Sequence, residues 1–404
     1  MLLEQQIRDV YEYQKEYYTK LSTGTPRKTL GKIDLDNYFI KVLTGVRRCG
    51  KSTLMLQLAG KQKSVNFLSF EDPRLSQFEV NDFFKLEKIF EESKKSSVYF
   101  IDEIQNVEGW ERFIRVLHDK KTKVVISGSN ADLLSKELGT KLTGRQITYE
   151  LFPFSYAEFL VHTKLKGGLA SFQRFLFSGG FPEYVTTTKL DVLIHLYNDI
   201  IFRDIVVRHG LRNSRVIRDI GVYFASNIGK EFSYNKLAVN FELGSVNTIQ
   251  SYVSYFEDAY LFFTVPRFSF SLKQQAKNQK KIYGVDTGLI TNLSLSFSKD
   301  IGRLLENAVF IEFRRMEKKI YYYKNTGECD FVVTNGGYVE QLVQVCYELN
   351  NDNLQRETKG LLDAMNVLNK TSGLILTMDQ TDRIQEGNKI IEVLPVWQWL
   401  LKSD

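Results

Sequence analysis

The 404-residue sequence predicts an α/β protein that begins with a doubly wound parallel sheet. Short apolar runs alternate with helical stretches over residues 31–150, which is the pattern of a parallel sheet covered by helices on both faces. A glycine-rich loop directly follows the first run, and two adjacent acids follow the third. Both features are typical of the carboxyl ends of parallel strands, where open α/β sheets bind their ligands.

The order of these patterns along the chain predicts five segments. Residues 1–30 form a polar helical segment, and residues 31–150 form the sheet domain. Residues 151–204 are expected to form a helical lid, and residues 205–295 a winged-helix domain. Residues 300–404 mix strands and helices again, which predicts a last α/β domain. The strands expected in the first sheet are 38–43, 65–70, 97–101, 123–127 and 146–150.

The loop after the first strand fits the pattern G-x-x-x-x-G-K-[ST] of P-loop NTPases. Its glycines allow close backbone approach, so that successive N–H groups and the next helix N-terminus can face a phosphate chain. Lys51 supplies a charge for the β- and γ-phosphates of ATP, and the Ser52 hydroxyl can bind Mg²⁺. The residues expected to contact the nucleotide are Gly45, Val46, Arg47, Arg48, Cys49, Gly50, Lys51, Ser52 and Thr53.

The second motif is the acid pair Asp102-Glu103, which ends the apolar run that begins at Val98. In P-loop enzymes the first acid of such a pair holds Mg²⁺, and the second polarises the attacking water. We therefore expect Asp102 to share the metal with Ser52. Glu103 is expected to be the catalytic base.

Three further residues are candidates for the same site. Ser129 and Asn130 follow the next strand, and either side chain could sense the γ-phosphate. Arg145 lies in a loop and could neutralise charge as an arginine finger, either in its own subunit or across a subunit boundary. The sequence does not choose between these two placements, so a homo-oligomer and a monomer are both compatible with it.

The composition is that of a soluble globular protein, with 43% hydrophobic and 25% charged residues. The three cysteines are widely spaced, which predicts no disulfide framework and fits a reducing compartment. The first residues, MLLEQQIRDV, carry charges where a signal peptide needs an apolar run, and no stretch approaches the length of a membrane span. We therefore expect a cytoplasmic protein without a membrane partner.

The net charge of +6 is concentrated in residues 205–282, which contain eleven Lys or Arg and five Asp or Glu. This excess indicates an acidic partner, with DNA first among the candidates. Two capped helices and a hairpin in this segment predict a winged helix. The loop that connects the hairpin contains Lys273, Lys277, Lys280 and Lys281, and we expect it to be a wing that could contact a phosphate backbone. The second helix, which starts after Ser245, exposes no Lys or Arg. That helix could therefore contact a protein instead.

Several motifs resemble those of prokaryotic AAA-type ATPases with a C-terminal restriction-endonuclease-like domain of the PD-(D/E)XK type. They are TGVRRCGKSTL, YFIDEIQN, ISGSNADLL, LTGR, LFPFSYAEF, GGFPEYV and DIIFRDIVVR. The resemblance covers nearly the whole chain after residue 30. It implies an ATP-binding core, a winged-helix middle and a nuclease-like end, and it brings no defined cellular role.

The nuclease-like fold implies a metal site with Glu on a helix, Asp on a strand, and Glu/Gln-x-Lys on the next strand. Glu306, Asp330 and Gln344 match the first three places, but Cys346 stands where the lysine belongs. A thiol carries no positive charge and is a poor ligand for a hard cation. We therefore expect this domain to be inactive.

Three functions are consistent with the sequence. The first is a Mg²⁺-dependent ATPase that is coupled to DNA binding or to a DNA transaction. The second is a slow, nucleotide-gated switch that contacts partner proteins through its later domains. The third is an ATP-regulated DNA nuclease, which Cys346 disfavours.

Overall fold

The computed structural model describes residues 1–93, 98–129, 144–295 and 300–403 of the chain. These residues form two compact units, Met1–Phe152 and Pro153–Asp404. The division into five segments is finer than these units and stays a prediction. Among the described residues, no helix is long and apolar enough to cross a membrane.

The first unit is built on a five-stranded sheet. Its strands are β1 (Ile40–Thr44), β2 (Val65–Ser69), β3 (Val98–Asp102), β4 (Val124–Gly128) and β5 (Gln146–Glu150). They lie in the order β2-β3-β4-β1-β5, and every neighbouring pair is parallel. All residues of β1, β3 and β4 are buried, which explains why these strands are mainly apolar along their whole length. The predicted parallel α/β sheet is confirmed.

The helices of this unit are α1 (Glu4–Lys20), α2 (Lys51–Ala59), α3 (Phe83–Ser93) and α4 (Trp110–Asp119). Helix α1 covers the edge strand β2. The Gln14 Nε2 donates to the Ser69 carbonyl at 3.0 Å, and the Ser69 N–H donates to the Gln14 Oε1 at 2.8 Å. The Tyr11 hydroxyl donates to the Asn66 Oδ1 at 2.6 Å. The helix thereby covers an otherwise open edge, so it is part of the first unit.

The second unit begins with helices. They are α5 (Tyr156–Thr163), α6 (Leu169–Ser178), α7 (Pro182–Thr187), α8 (Leu190–Asp199), which continues as a π-helix over Ile200–Val207, and α9 (Ser214–Ser226). The sequence predicted a break at residues 178–182. The chain does break there, but a short helix starts at Pro182, because proline is well suited to the first helical position.

The next elements are β6 (Glu231–Phe232), α10 (Tyr234–Asn240), α11 (Val246–Asp258), β7 (Phe262–Pro266), α12 (Leu272–Lys277), β8 (Lys280–Gly284) and α13 (Thr287–Leu293). The three strands form an antiparallel sheet in the order β6-β8-β7. Ser233 and Ser245 cap α10 and α11, as their positions in the sequence predict. The short helix α12 in the β7–β8 connection was not predicted.

The last elements are α14 (Ile301–Arg315), β9 (Lys319–Lys324), β10 (Glu328–Asn335), β11 (Tyr338–Val345), α15 (Leu354–Val367), β12 (Ser372–Thr377), β13 (Asp382–Glu386), β14 (Lys389–Pro395) and α16 (Val396–Ser403). The strands form one mixed sheet in the order β13-β14-β12-β11-β10-β9. The predicted alternation of strands and helices is present, but the β13–β14 hairpin was missed. Its strand β13 is mostly exposed, so it lacks the apolar pattern of a buried strand.

A buried carboxylate explains the paired glycines before α7. The Asp286 carboxylate accepts hydrogen bonds from the Gly180 N–H at 2.6 Å and from the Leu289 N–H at 2.8 Å. A side chain at Gly179, which has a φ of 68°, would collide with Asp286. Burial raises the pKa of Asp286 to about 6, although the hydrogen bond from Gly180 acts to lower it.

Candidate functional site

The loop between β1 and α2 is held in a single backbone shape. Gly45 and Gly50 have φ values of 145° and 105°, and a side chain at Gly45 would collide with the Leu151 carbonyl. The Lys51 ammonium folds back over the loop and donates to the carbonyls of Gly45 at 3.1 Å and Val46 at 3.2 Å. The loop is therefore a preformed cradle with a buried cation at its centre.

The acids at the end of β3 reach this cradle. The Ser52 hydroxyl donates to the Asp102 Oδ2 at 2.7 Å, and the Ser127 hydroxyl donates to the Asp102 Oδ1. The Glu103 Oε1 lies 3.9 Å from the Lys51 Nζ. The structure thus brings Lys51, Ser52, Asp102 and Glu103 together at the carboxyl edge of the sheet.

Both acids are buried, and their surroundings differ. Burial is the main cause that raises the pKa of Asp102 to about 6, and the neighbouring charge of Glu103 adds to it. The hydrogen bonds from Ser127 and Ser52 act in the opposite direction. Glu103 has a left-handed backbone with a φ of 52°, and its Oε2 accepts a hydrogen bond from the Gln105 side chain. A non-glycine residue in this conformation is strained, and such strain is concentrated at functional sites.

Three residues of this neighbourhood were missed by sequence reasoning. Arg27 is buried, and its guanidinium donates to the carbonyls of Cys49 at 2.7 Å and Phe152 at 2.6 Å. Ser127 and Gln105 contact the two acids, as described above. Ser127 carries a signal, since it is a polar residue inside a fully buried strand. Arg27 is distant in sequence and belongs to no motif, so only the fold places it behind the loop.

The other loop residues have various surroundings. The Arg47 Nη1 lies 3.5 Å from the Glu71 Oε1, and Arg48 is exposed with a φ of 60°. Cys49 is buried, and burial raises the pKa of its thiol, so it stays neutral at physiological pH. Thr53 and Val46 lie in the first helical turn and in the loop, as the pattern predicts.

The three remaining candidates have different outcomes. Ser129 is buried directly after β4, next to the acid-bearing strand in the sheet, and its sensor role stays a prediction. Asn130 lies outside the described residues. The Arg145 carbonyl accepts a hydrogen bond from the Ile40 N–H at 2.9 Å, at the amino end of β1.

This position places the Arg145 backbone at the edge of the sheet opposite the P-loop. The P-loop follows the carboxyl end of β1, whereas Arg145 lies at the start of the parallel strand β5, beside residue 40. The length of β1 separates these two edges by about 13 Å at roughly 3.3 Å per residue. A role for Arg145 as an arginine finger, in its own subunit or across a subunit boundary, stays a prediction.

A second group of acids lies in the second unit. Glu306, Asp330, Gln344 and Cys346 all line one cavity of about 1030 Å³, so the four residues predicted for the nuclease-like site do converge. A lysine that was expected elsewhere contacts two of these acids and Glu328. The Lys281 ammonium lies 3.0 Å from the Glu306 Oε1, 2.9 Å from the Asp330 Oδ1 and 2.7 Å from the Glu328 Oε1.

The prediction that Lys281 belongs to a solvent-facing lysine loop is therefore wrong. Its side chain is 1% exposed, because β8 turns it toward α14 and β10 rather than toward solvent. Strand residues alternate between faces, and Lys280 next to it is only half-buried. Lys273 and Lys277 are exposed, as expected.

The glycine cradle, the central lysine and the strand-end acid pair define a P-loop ATPase-type domain. Residues 37–160 match the family model described as "AAA domain", and residues 169–300 match one described as "Domain of unknown function (DUF8612)". The chain thus contains an AAA-type P-loop ATPase domain. The restriction-endonuclease-like assignment of the last segment stays a prediction.

Two relatives are similar over most of the chain. The uncharacterized protein MJ1544 of Methanocaldococcus jannaschii is 34% identical over 90% of this chain and 88% of its own length. An uncharacterized protein of Haemophilus influenzae is 31% identical over 91% of this chain and 95% of its own. The chain belongs to the family that contains these two proteins.

A solved structure with weaker similarity is AMPPCP-bound DnaA from Aquifex aeolicus. It is 15% identical, with a TM-score of 0.29 over 64% of this chain and 89% of that chain.

Proposed function

We propose that the chain is a Mg²⁺-dependent ATPase that hydrolyses ATP at the P-loop and contacts DNA through its basic middle segment. The observation that carries the proposal is the convergence of Lys51, Ser52, Asp102 and Glu103 around one cradle. The loop with its lysine and the acid pair come from two parts of the sequence about fifty residues apart. Together they provide the phosphate cradle, the metal ligands and the base that phosphoryl transfer needs.

The donors next to the loop suit magnesium. The Ser52 hydroxyl and the Asp102 carboxylate are hard oxygen ligands in direct contact, which is the donor type that Mg²⁺ prefers. When bound, the ion neutralises charge on the β- and γ-phosphates. Ser127 holds the Asp102 carboxylate in place through the second oxygen, so the orientation of this ligand does not depend on the nucleotide.

Glu103 is the residue placed to accept a proton from the attacking water. Its carboxylate lies next to the lysine that would hold the γ-phosphate, and the Gln105 amide occupies one of its oxygens. The hydrogen bond from Gln105 orients the carboxylate and leaves the other oxygen, Oε1, on the side of Lys51. General-base catalysis of this kind contributes about 10²–10⁴-fold.

The experiment for this half is Mg²⁺-dependent ATP hydrolysis by the wild type, Lys51→Ala and Glu103→Gln. Lys51→Ala should lose nucleotide affinity, because the phosphate charge loses its partner. Glu103→Gln should retain nucleotide binding and lose turnover, since only the base changes. Wild-type turnover in Glu103→Gln would disprove the base assignment, and absence of nucleotide binding in the wild type would disprove the ATPase.

We also propose that residues 205–295 form a winged-helix domain, with 300–404 as an inactive restriction-endonuclease-like domain. The succession α9-β6-α10-α11-β7-β8 with its three-stranded antiparallel sheet supports the first assignment. The convergence of Glu306, Asp330 and Gln344 on one cavity supports the second. The helical segment 151–204 is proposed as a lid of the ATPase.

The β7–β8 connection is the surface that best suits DNA. It exposes Lys273 and Lys277 together with the side chains of Phe270 and Leu272, each of which is 81% exposed. Lysines contact phosphates without regard to sequence, and an exposed ring can stack on a base. Apolar side chains next to exposed lysines are suited to a partner that offers both a stacking surface and acidic groups.

A salt series of DNA binding tests this half of the proposal. The double variant Lys273→Ala/Lys277→Ala should bind more weakly and reduce the dependence of log affinity on log salt by about two. The matched control is Lys61→Ala/Lys63→Ala, which removes two exposed lysines outside the segment. Equal DNA affinity of both double variants, or no salt-dependent affinity in the wild type, would remove DNA from the function.

The second candidate function is a slow nucleotide-gated switch that contacts proteins. It is favoured by α11, whose exposed side chains Asn247, Gln250 and Ser251 are uncharged. Its closing acid Glu257 is used internally, since its Oε1 accepts hydrogen bonds from the Thr264 N–H and hydroxyl. ADP that stays bound through purification, with turnover unaffected by DNA, would favour the switch.

A further inference from the structure

The carboxylates of the second unit surround a cation that the chain itself provides. Glu306 projects from α14, while Glu328 and Asp330 project from β10. Lys281 enters from β8, and its ammonium contacts one oxygen of each acid at 2.7–3.0 Å. An ammonium group has three protons, so three acceptors at these distances use all of its donors.

The surroundings keep this ammonium charged and fixed. Burial alone would lower the pKa of Lys281, but the carboxylates of Asp330 and Glu306 outweigh burial and raise it well above its ordinary value. Lys281 is 1% exposed, so it cannot reach a ligand in the adjoining cavity. This separates it from a lysine that helps catalysis, which must face the reacting atoms.

The acids are held from behind by other donors. The Tyr283 hydroxyl donates to the Glu306 Oε1 at 2.6 Å, and the Arg303 Nη1 donates to the Glu306 Oε2 at 3.0 Å. The Val345 N–H donates to the Asp330 Oδ2 at 3.1 Å. The carboxylates are therefore positioned independently of Lys281, as ligands of a bound cation would be.

A divalent metal does not fit this cluster as it stands. Mg²⁺ needs oxygen ligands at about 2.0–2.1 Å in octahedral geometry. The same carboxylate oxygens already point at the Lys281 ammonium, which occupies the space between them. Among the described residues, no group of three or more His, Cys, Asp or Glu is arranged to hold a metal ion.

We propose that Lys281 is an internal cation that takes the place of a divalent metal in the cluster of Glu306, Asp330 and Glu328. It keeps the nuclease-like cavity metal-free, and it fixes the β7–β8 hairpin to the C-terminal sheet. The hairpin makes further contacts with the same sheet, since the Phe268 N–H donates to the Tyr322 carbonyl at 2.7 Å and the Tyr322 hydroxyl donates to the Gln279 carbonyl at 2.8 Å.

The test is to count bound Mn²⁺ on the full, nucleotide-free chain by the loss of the free-ion electron paramagnetic resonance signal. Lys281→Met should bind one more equivalent of Mn²⁺ than the wild type, and Mn²⁺ should raise its Tm. In this variant the metal ion, instead of the lysine, balances the negative charge of the three carboxylates. Lys280→Met, which changes the adjacent half-buried lysine, should behave like the wild type in both measurements.

A second comparison does not require Lys281→Met to fold. Wild type and Asp330→Asn should bind the same number of Mn²⁺ ions, because the wild-type cluster holds none. One ion fewer in Asp330→Asn would overturn the proposal, as would a folded Lys281→Met that binds no more Mn²⁺ than the wild type. Metal-dependent DNA cleavage by the wild type that Asp330→Asn abolishes would also overturn it. None of these outcomes changes the expected result for the P-loop ATPase, so the two proposals fail separately.

Discussion

The two lysine–carboxylate clusters of this chain contain the same residue types but have different roles. In the first unit, the Lys51 ammonium donates to two loop carbonyls and is 3.9 Å from its nearest carboxylate, that of Glu103. In the second unit, the Lys281 ammonium contacts three carboxylates within 3.0 Å. A buried charge that is fully paired contributes to structure, whereas one that is partly paired by neutral dipoles can still bind an anion.

The backbone around each lysine produces this difference. Lys51 starts a helix directly after a glycine loop, where N–H groups and loop carbonyls are the nearest partners. Lys281 lies in the middle of a strand pair and points at a neighbouring helix and strand that each carry an acid. The sequence shows only that both residues are lysines. Only the geometry distinguishes a binding site from a completed ion cluster.

The largest expected effects come from changing one glutamate to glutamine in each cluster. Glu103→Gln should reduce turnover about 100-fold or more, because it removes the proposed base, with little effect on stability. Glu306→Gln should leave turnover within about twofold but should cost about 3–5 kcal/mol of unfolding free energy, because it breaks a buried ion pair. Steady-state ATPase rates and urea unfolding of both variants measure this. If Glu306→Gln were as stable as the wild type, the cluster would not be structural.

The next effect concerns a buried acid whose hydrogen bonds come from backbone N–H groups. Asp286 has a pKa of about 6 in the folded chain against a usual value of 3.8, so the folded state binds the proton more tightly than the unfolded state. The contribution of Asp286 to the free energy of unfolding should therefore be highest below pH 4. It should decline by about 3 kcal/mol as the pH rises through 6.

Asp286→Asn removes the titration and should flatten this part of the pH profile. Urea unfolding between pH 4 and pH 7 on the wild type and the variant measures the slope. The matched control is Asp379→Asn, which changes an acid outside the buried set. An unchanged slope in Asp286→Asn would mean that the carboxylate is already charged in the folded chain at pH 4.

The third effect is stabilisation by nucleotide. A non-hydrolysable ATP analogue with Mg²⁺ at about 100 times its Kd should stabilise the wild type by about 2.7 kcal/mol. Lys51→Met should lose most of this gain at the same concentration, because the phosphate then lacks its cation. Lys280→Met should keep it. Thermal unfolding with and without the analogue measures the shift, and equal shifts in wild type and Lys51→Met would contradict the role of Lys51.

The smallest effect concerns Arg27, which holds the loop from behind. Arg27→Met should weaken nucleotide binding by about tenfold, since the Cys49 carbonyl loses a charge-assisted hydrogen bond and the loop loses its fixed shape. Arg48→Met, at an exposed position of the same loop, is the control. Titration with a fluorescent ATP analogue gives both constants. Identical constants for the two variants would show that Arg27 supports only the fold.

Sequence reasoning was most successful where chemistry depends on local spacing. The glycine loop needs its residues at fixed offsets, and the acid pair needs only to end a buried strand, so both could be read from the chain. Contacts across the fold were less accessible. Arg27 contacts the Cys49 carbonyl from 22 positions away and belongs to no motif, so only the fold brings it to the loop. Ser127 contacts Asp102 from the neighbouring strand, 25 positions away. The order of the strands in the sheet, which the sequence does not give, places Arg145 beside residue 40.

The sequence by itself determined the P-loop, its paired acids and the parallel sheet that carries them, because buried strands and phosphate-binding loops constrain residue types at each position. The tertiary structure alone decided which lysine completes the second acidic cluster. Residue 281 is 25 and 49 positions from Glu306 and Asp330, and no local pattern relates groups that meet only when a hairpin packs against another sheet. Burial of charge is a property of that packing, and it turns a residue expected to contact a partner into one that holds the fold.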